Sequence, residues 1–350
     1  MLGIETSCDE TAASVVEDGQ RLLSNAVASS MDLHVQYGGV VPEIAARSHI
    51  EAILPVIQQA LNDAQCGWQD IDAIAVTQGP GLGGSLLIGV MTARTLAITH
   101  SKPLYAINHV EAHVYANFLT ETSLPGYHVR RTQPAFPMLA IIVSGGHSQL
   151  ALFRNHFDYT LLGQTQDDAI GEAFDKVARM LGLPYPGGPS VAAAAEHGNP
   201  ETFQLPKAKM GKYDFSFSGL KTAVLRLAQA QIGESFDFPS TQLSERLSEA
   251  QKADIAASFQ RVAIETIVDK ARLAFEEFAP KSVVVAGGVA ASQELRRQLS
   301  AALPLPIEYP DPKLCTDNGA MIACLGCFKV QARQAAADPY ELAIAPSLSM

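Results

Sequence analysis

A strand–turn–strand pattern occurs twice in this chain. "LGIETSCDETAASVVE" (2–17) reads as strand, polar turn, strand, and "LAIIVSGGHSQLALF" (139–153) reads the same way with Ser and Gly at the turn. Further along, each copy is followed by an apolar strand that runs into glycines and then a helix. In the first half this is "DAIAVTQGPGLGGSLLIGVMTARTLAI" (72–98), and in the second "KSVVVAGGVAASQELRRQL" (281–299). The duplicated order restricts the chain to an α/β fold built from two similar halves. Such halves would face each other across a central cleft, with four Gly- or Ser-bearing turns pointing into it. One glycine turn at a strand end is ordinary in any α/β protein; four in a duplicated order are not. Tight turns with free N–H groups beside helix N-termini suit phosphate.

We expect the first half over residues 1–133 and the second over 134–350. The break falls in "ETSLPGYHVRRTQPAFP" (121–137), which is rich in proline and polar residues. The second half carries a mostly helical insertion at about 166–278. A C-terminal helix is expected over 317–336, with Asp317 at its N-cap and Asn318 in its first turn. After Asp338 the chain should be irregular.

With 350 residues, 47% of them hydrophobic, each half can bury its own core. The opening "MLGIETSCDE" reads straight into a strand, and no apolar run reaches membrane-spanning length. A soluble, cytoplasmic protein without membrane contact is therefore expected. The five cysteines are scattered, which argues against a disulfide framework; Cys324 and Cys327 form a lone CxxC that reads as small buried helix residues. A net charge of −11 repels nucleic acid overall. The most basic stretch, "KAKMGK" (207–212) with Lys221 and Arg226 beyond it, reads as a solvated loop before it reads as a nucleic-acid track.

The candidate metal residues are His109 and His113 in "NHVEAH" (108–113). On a helix, positions i and i+4 stack both imidazoles on one face, as a divalent ion requires. Two unrelated surface histidines would give the same spacing. The peptidase pattern H-E-x-x-H is absent: Glu111 lies two residues after His109 and would point away from both rings. A third ligand is needed, and Asp317 in "CTDNGAM" can supply a carboxylate or simply cap a helix; Cys315 is a weaker competitor. Two histidines and a carboxylate suit iron or zinc. For a nucleotide, the turns bearing Ser144, Gly145 and Gly146, Gly187 and Gly188, and Gly287 and Gly288 allow close backbone approach. Asp175 in "GEAFDK" can accept from ribose hydroxyls, or be a surface helical aspartate.

Nine blocks occur in order across almost the whole chain: "GIETSCDET", "GGVVPEIAARSHI", "GPGLGGSLLIG", "HVEAH", "VSGGHSQL", "DDAIGEAFDKVARMLGLPYPGGP", "FSFSGLKT", "AGGVAAS" and "CTDNGAM". Together they closely resemble the bacterial TsaD family, once labelled sialoglycoprotein endopeptidases. The resemblance implies the duplicated fold shared by actin, sugar kinases and chaperone ATPases. It implies transfer of a threonylcarbamoyl group from threonylcarbamoyl-AMP to N6 of the adenosine next to the anticodon (position 37), in tRNAs that read codons beginning with A. It implies that His109, His113 and Asp317 hold one divalent metal, iron or zinc. It further implies that Ile142, Val143, Ser144, Gly145, Gly146, Asp175, Gly188 and Ser292 bind threonylcarbamoyl-AMP, or ATP or ADP, in the cleft. Where the family commonly has Ser-Ala-Asn after "AGGV", this chain has Ala290, Ala291 and Ser292. Serine is a shorter donor and acceptor than asparagine, and a water can fill the gap. The implied partners are tRNA, TsaB-like and TsaE-like proteins, and a TsaC-like synthase that supplies the adenylate.

Two other classes compete with this expectation. A sugar kinase of the same superfamily would need a catalytic aspartate and has no use for "HVEAH". A non-catalytic binding module has no use for the metal ligands.

Overall fold

The computed structural model describes residues 1–350. In chain order the first elements are strands β1 (Leu2–Glu5), β2 (Glu10–Glu17), β3 (Arg21–Leu22) and β4 (Ala26–Ser29), then helices α1 (Met31–His34) and α2 (Pro42–Asp63). Next come β5 (Ile74–Gly79), α3 (Gly83–His100), β6 (Leu104–Asn108), α4 (His109–Tyr115) and β7 (Glu121–Thr122). Strands β8 (Met138–Val143), β9 (Ser148–Asn155) and β10 (Asp158–Gln164) follow, with helices α5 (Ile170–Leu181), α6 (Gly187–Ala195), α7 (Ser218–Gln231), α8 (Leu243–Arg246) and α9 (Glu249–Phe278). The chain ends with β11 (Ser282–Ala286), α10 (Gln293–Ala302), α11 (Pro312–Cys315) and α12 (Gly319–Gln331). No helix is long and apolar enough to cross a membrane.

The chain divides into two compact units: Met1–Pro134 with Glu308–Met350, and Ala135–Ile307. In the first, seven strands form one sheet in the order β6-β5-β1-β2-β3-β7, with β4 also paired to β2. In the second, four strands run β10-β9-β8-β11. The duplication is explicit in the pairing. β1 is antiparallel to β2 and parallel to β5; β8 is antiparallel to β9 and parallel to β11. The central strands are apolar on both faces: Met138 to Val143 of β8 are all buried, as expected of a strand covered on each side.

One expectation needs correction. The segment from Glu308 to Met350 belongs to the first unit, not to a second half running from 134 to 350. The reason is packing. α12 is buried all round from Gly319 to Phe328 and lies on β1, β2 and β5. Gly3 and Gly319 permit this contact: a Cβ on Gly3 would sit 2.3 Å from Gly319 O, and one on Gly319 would sit 2.6 Å from backbone atoms of Ala13 and Ser14. Burying Met321, Ile322, Leu325 and Phe328 there contributes about 1.5–3 kcal/mol each. Two polar ties fix the return of the chain: Asp311 Oδ2 accepts from His128 N at 2.9 Å, and Arg130 Nε lies 3.3 Å from Glu308 Oε2.

The last helix is also shorter than the expected 317–336. It begins at Gly319 with Asn318 as N-cap, and Arg333 leaves the helix with a φ of 55°. Cys324 and Cys327 are buried in α12, with their thiols against backbone carbonyls of Gly19, Tyr115 and Val16, which is the small-residue reading of the CxxC. Two lysines of the basic stretch are paired with α9, Lys207 with Glu265 and Asp269, and Lys212 with Glu277.

Candidate metal centre and glycine turns

β6 delivers the chain to α4 through Asn108, whose side chain caps the helix by accepting from Val110 N at 2.9 Å and Glu111 N at 3.1 Å. Four residues apart on this helix, His109 and His113 turn the same way, with ring centroids 4.7 Å apart. Asp317 Oδ1 lies 3.5 Å from His109 Nε2 and 3.3 Å from His113 Nε2. The three residues each offer one ligand atom, all within 4.8 Å of one another.

Asp317 is the residue that could have been a helix cap, and it is not. Asn318 takes that role, its Oδ1 accepting from Met321 N at 3.0 Å while Nδ2 donates to Thr316 O and Leu314 O. The Asp317 carboxylate is therefore turned to the histidines.

Three observations fit this group to a divalent cation. Donors held about 2.0–2.1 Å from a tetrahedral ion lie roughly 3.4 Å apart, close to the two nitrogen–oxygen distances here. Both ring nitrogens of His113 are buried without a hydrogen-bond partner, a costly arrangement unless a ligand takes one of them. Carboxylates also crowd the site: the Glu10 carboxyl is pushed up to about 10 by burial and by the charges of Asp317 and Asp9. A cation would relieve that repulsion.

Behind His109 stands a support that the sequence reading missed. Its Nδ1 lies 3.1 Å from Glu5 Oε2 and 3.1 Å from Ser7 Oγ. Glu5 is fully buried at the end of β1 and accepts from Ser7 N and Thr77 Oγ. Burial works against the Glu5 charge, but His109 outweighs it and draws the carboxyl below its usual range. Burial likewise opposes a charge on His109, and Asp317 and Glu5 overcome it, raising the imidazole to about 9. A carboxylate behind a ligating histidine fixes its tautomer and ring orientation. The signal was present: a glutamate ends the buried run "LGIE", where a charge needs a partner.

Glu111, the carboxylate between the histidines, is not among the three donors. Burial pushes it up to about 7, opposed by the nearby Lys329.

The residues expected at a nucleotide are gathered in the second unit. Ile142 and Val143 are wholly buried in β8 and present no side chain to a ligand. The turn after them, Ser144 to Gly146, is closed by Ser144 N donating to His147 O at 2.8 Å, with Ser144 Oγ accepting from His147 N. A Cβ on Gly145, Gly146 or Gly188 would meet nothing within 4 Å. Three neighbours lock onto this turn. Gly171 and Glu172, in the first turn of α5, donate their N–H groups to Ser144 O and Gly145 O. Gly287, with φ +87°, packs where a Cβ would sit 2.4 Å from Val143 O. On α5, Asp175 Oδ1 accepts from Gly187 N at 2.7 Å and so holds the start of α6. Ser292 caps α10, its hydroxyl accepting from Leu295 N at 3.4 Å. Several expected anchors thus already hold the turns together, and the open positions are Gly145, Gly146 and Gly188.

Comparison with known proteins follows the same direction. The family model described as "TsaD: tRNA N6-adenosine threonylcarbamoyltransferase" matches residues 21–324. A protein of that name from Thermomicrobium roseum is 52% identical over 339 residues, covering 95% of this chain and 92% of its own length. Its namesake from Dehalococcoides mccartyi is 47% identical over 352 residues, covering 100% and 99%. Among solved structures, component A of the Acidaminococcus fermentans (R)-2-hydroxyglutaryl-CoA dehydratase aligns over 95% of this chain and 98% of its own, with a TM-score of 0.51 at 17% identity. That likeness concerns the fold alone.

Proposed function

The chain belongs to the TsaD family of tRNA N6-adenosine threonylcarbamoyltransferases, and from that premise we propose how its residues divide the work. The reaction moves a threonylcarbamoyl group from threonylcarbamoyl-AMP to N6 of the adenosine beside the anticodon. The N6 amine attacks the carbamoyl carbon, the bond from that carbon to the phosphate oxygen breaks, and AMP departs. The N6 proton passes to a phosphate oxygen of the leaving AMP.

His109, His113 and Asp317 hold one divalent ion, iron or zinc, with Glu5 and Ser7 orienting His109 from behind. When bound, such an ion supplies Lewis-acid polarisation and a template for substrate oxygens. The backbone at Ser144, Gly145, Gly146 and Gly188 receives the adenylate, Asp175 keeps the start of α6 in register, and Ser292 closes the same cluster. Ile142 and Val143 serve through their main chain. No side chain needs to act as nucleophile; positioning and electrostatic stabilisation carry the rate. TsaB-like and TsaE-like partners complete the tRNA-binding surface, because this acidic chain by itself repels phosphate. A TsaC-like synthase supplies the adenylate.

The observation that carries this reading is the triangle of His109, His113 and Asp317, with the aspartate released from helix capping. The test supplies threonylcarbamoyl-AMP, unmodified tRNA and the partner proteins to this chain, then analyses the tRNA nucleosides by mass spectrometry. Modified adenosine is expected. Its absence under every partner combination defeats the reading.

A further inference from the structure

Residues 338–350 contain no regular secondary structure, yet they are tied down along their length. The Arg94 guanidinium donates to the carbonyls of Pro339, Tyr340 and Leu342. Gln78 grips the next stretch twice, its side-chain Nε2 donating to Ala343 O at 2.9 Å and its main-chain carbonyl accepting from Ala345 N at 2.8 Å. Gly81 N donates to Pro346 O at 3.1 Å, and Asn108 Nδ2 donates to Ser349 O at 3.1 Å. Leu342 belongs to the core of this unit, with Ile344 packed against it.

Two of these ties lead to His109 by separate routes. The first passes through the glycine loop after β5. Gly81 meets the tail at Pro346, while the next residue, Leu82, donates its N–H to Ser7 O at 2.8 Å. Ser7 in turn places its hydroxyl 3.1 Å from His109 Nδ1. The loop is clamped so closely that a Cβ on Gly79 would lie 1.8 Å from Ala345 O, and one on Gly81 would lie 2.6 Å from Ser7 O. The second route passes through Asn108. One side-chain amide caps α4 with its oxygen and holds Ser349 with its nitrogen. The first turn of α4, which carries His109, is thereby anchored to the tail.

We propose that residues 343–349 form a positioning strap that sets the glycine loop and the Asn108 cap, and through them preorganises His109 and His113 for their ion. The inference rests on the metal-binding reading of His109, His113 and Asp317. Groups that orient a ligating histidine from outside the coordination sphere typically govern 10–100-fold of metal affinity. Here that orientation comes from a segment more than two hundred residues downstream of the helix it holds.

The test is a Zn²⁺ titration, in competition with a chelator, of four metal-free proteins: the full chain, the chain lacking residues 345–350, Asn108→Asp and His113→Ala. Aspartate keeps a capping oxygen at position 108 but removes the amide that reaches Ser349. The truncated chain and Asn108→Asp should each bind Zn²⁺ about 10–100-fold more weakly, still at one ion per chain. His113→Ala should lose the saturable site. Cooperative thermal unfolding reports whether the truncated chain folds; if it does not, a chain lacking only Ser349 and Met350, which loses the tie to Asn108 but keeps the cap, takes its place. A folded truncated chain that binds within about twofold of the parent overturns the strap, even when Asn108→Asp binds weakly, because the effect then belongs to the cap. Asn108→Asp binding as the parent does overturns it as well. Unaltered binding by His113→Ala instead overturns the metal reading beneath it.

Discussion

Asp317 Oδ1 stands 3.3 Å from Nε2 of His113, while its neighbour Asn318 alone caps the helix that follows. Two adjacent polar residues at one helix start thus do different work: one holds the fold, and the other faces the histidines. Their substitutions should separate. Asp317→Ala should leave purified protein without stoichiometric metal and shift the unfolding midpoint little. Asn318→Ala should cost about 1–3 kcal/mol, since it removes a cap and the hydrogen bond to the buried Leu314 carbonyl, yet the folded fraction should still bind metal. Metal analysis beside thermal unfolding of both variants reads the contrast; equal metal loss in both contradicts it.

Glu111 is a second point of separation. It sits between the histidines but outside the donor set, so Glu111→Gln should retain metal and transfer activity within a few-fold of the parent. His109→Ala in the same assays should lose both. A Glu111→Gln variant as dead as His109→Ala would restore this carboxylate to the chemistry.

The glycine turns of the second unit make a sharper contrast. Gly287→Ala places a Cβ 2.4 Å from Val143 O at a φ of +87°, and should destabilise by about 1–3 kcal/mol. Gly145→Ala and Gly188→Ala put a methyl into open space and should leave the unfolding midpoint unchanged. If those two positions receive the adenylate, their KM for it should rise several-fold. An unchanged KM in both removes them from the substrate site.

Asp168 gives a pH dependence. Burial raises its carboxyl, but hydrogen bonds from Lys176 and Lys221 at 2.8 and 2.7 Å prevail and hold it below the usual range. A depressed carboxylate stabilises the fold fully above its unfolded value, and the contribution is lost as pH falls through the folded one. That window lies below about pH 4. Asp168→Asn should therefore lower stability at neutral pH by roughly 1 kcal/mol, since the pairs are partly screened by water, and flatten the acid side of the stability curve. Denaturant unfolding at pH 7 and pH 3 measures both; an equal loss at the two values would speak against the pairing.

The duplicated hairpins and their glycine-ended strands were readable because each is a local pattern, an apolar run closed by turn residues. Membership of α12 in the first unit was not. It depends on Gly3 and Gly319 meeting across more than three hundred residues, and no local spacing encodes that contact. The same holds for the tail after Asp338, correctly read as irregular but fixed by Arg94, Gln78 and Asn108. At the candidate metal centre, the i, i+4 spacing of His109 and His113 was local and legible. The choice between Asp317 and Asn318 as cap turned on a one-residue offset, which composition at a helix start does not resolve. Glu5 went unread because its partner, His109, is a hundred residues away.

The most direct test of the central claim removes the ion from an intact chain. Chelator-stripped protein, verified metal-free, should transfer no threonylcarbamoyl group to tRNA, and one equivalent of iron or zinc should restore transfer. His113→Ala should not respond to the added ion. Full transfer by the metal-free chain, scored as modified adenosine by nucleoside mass spectrometry, would contradict the account.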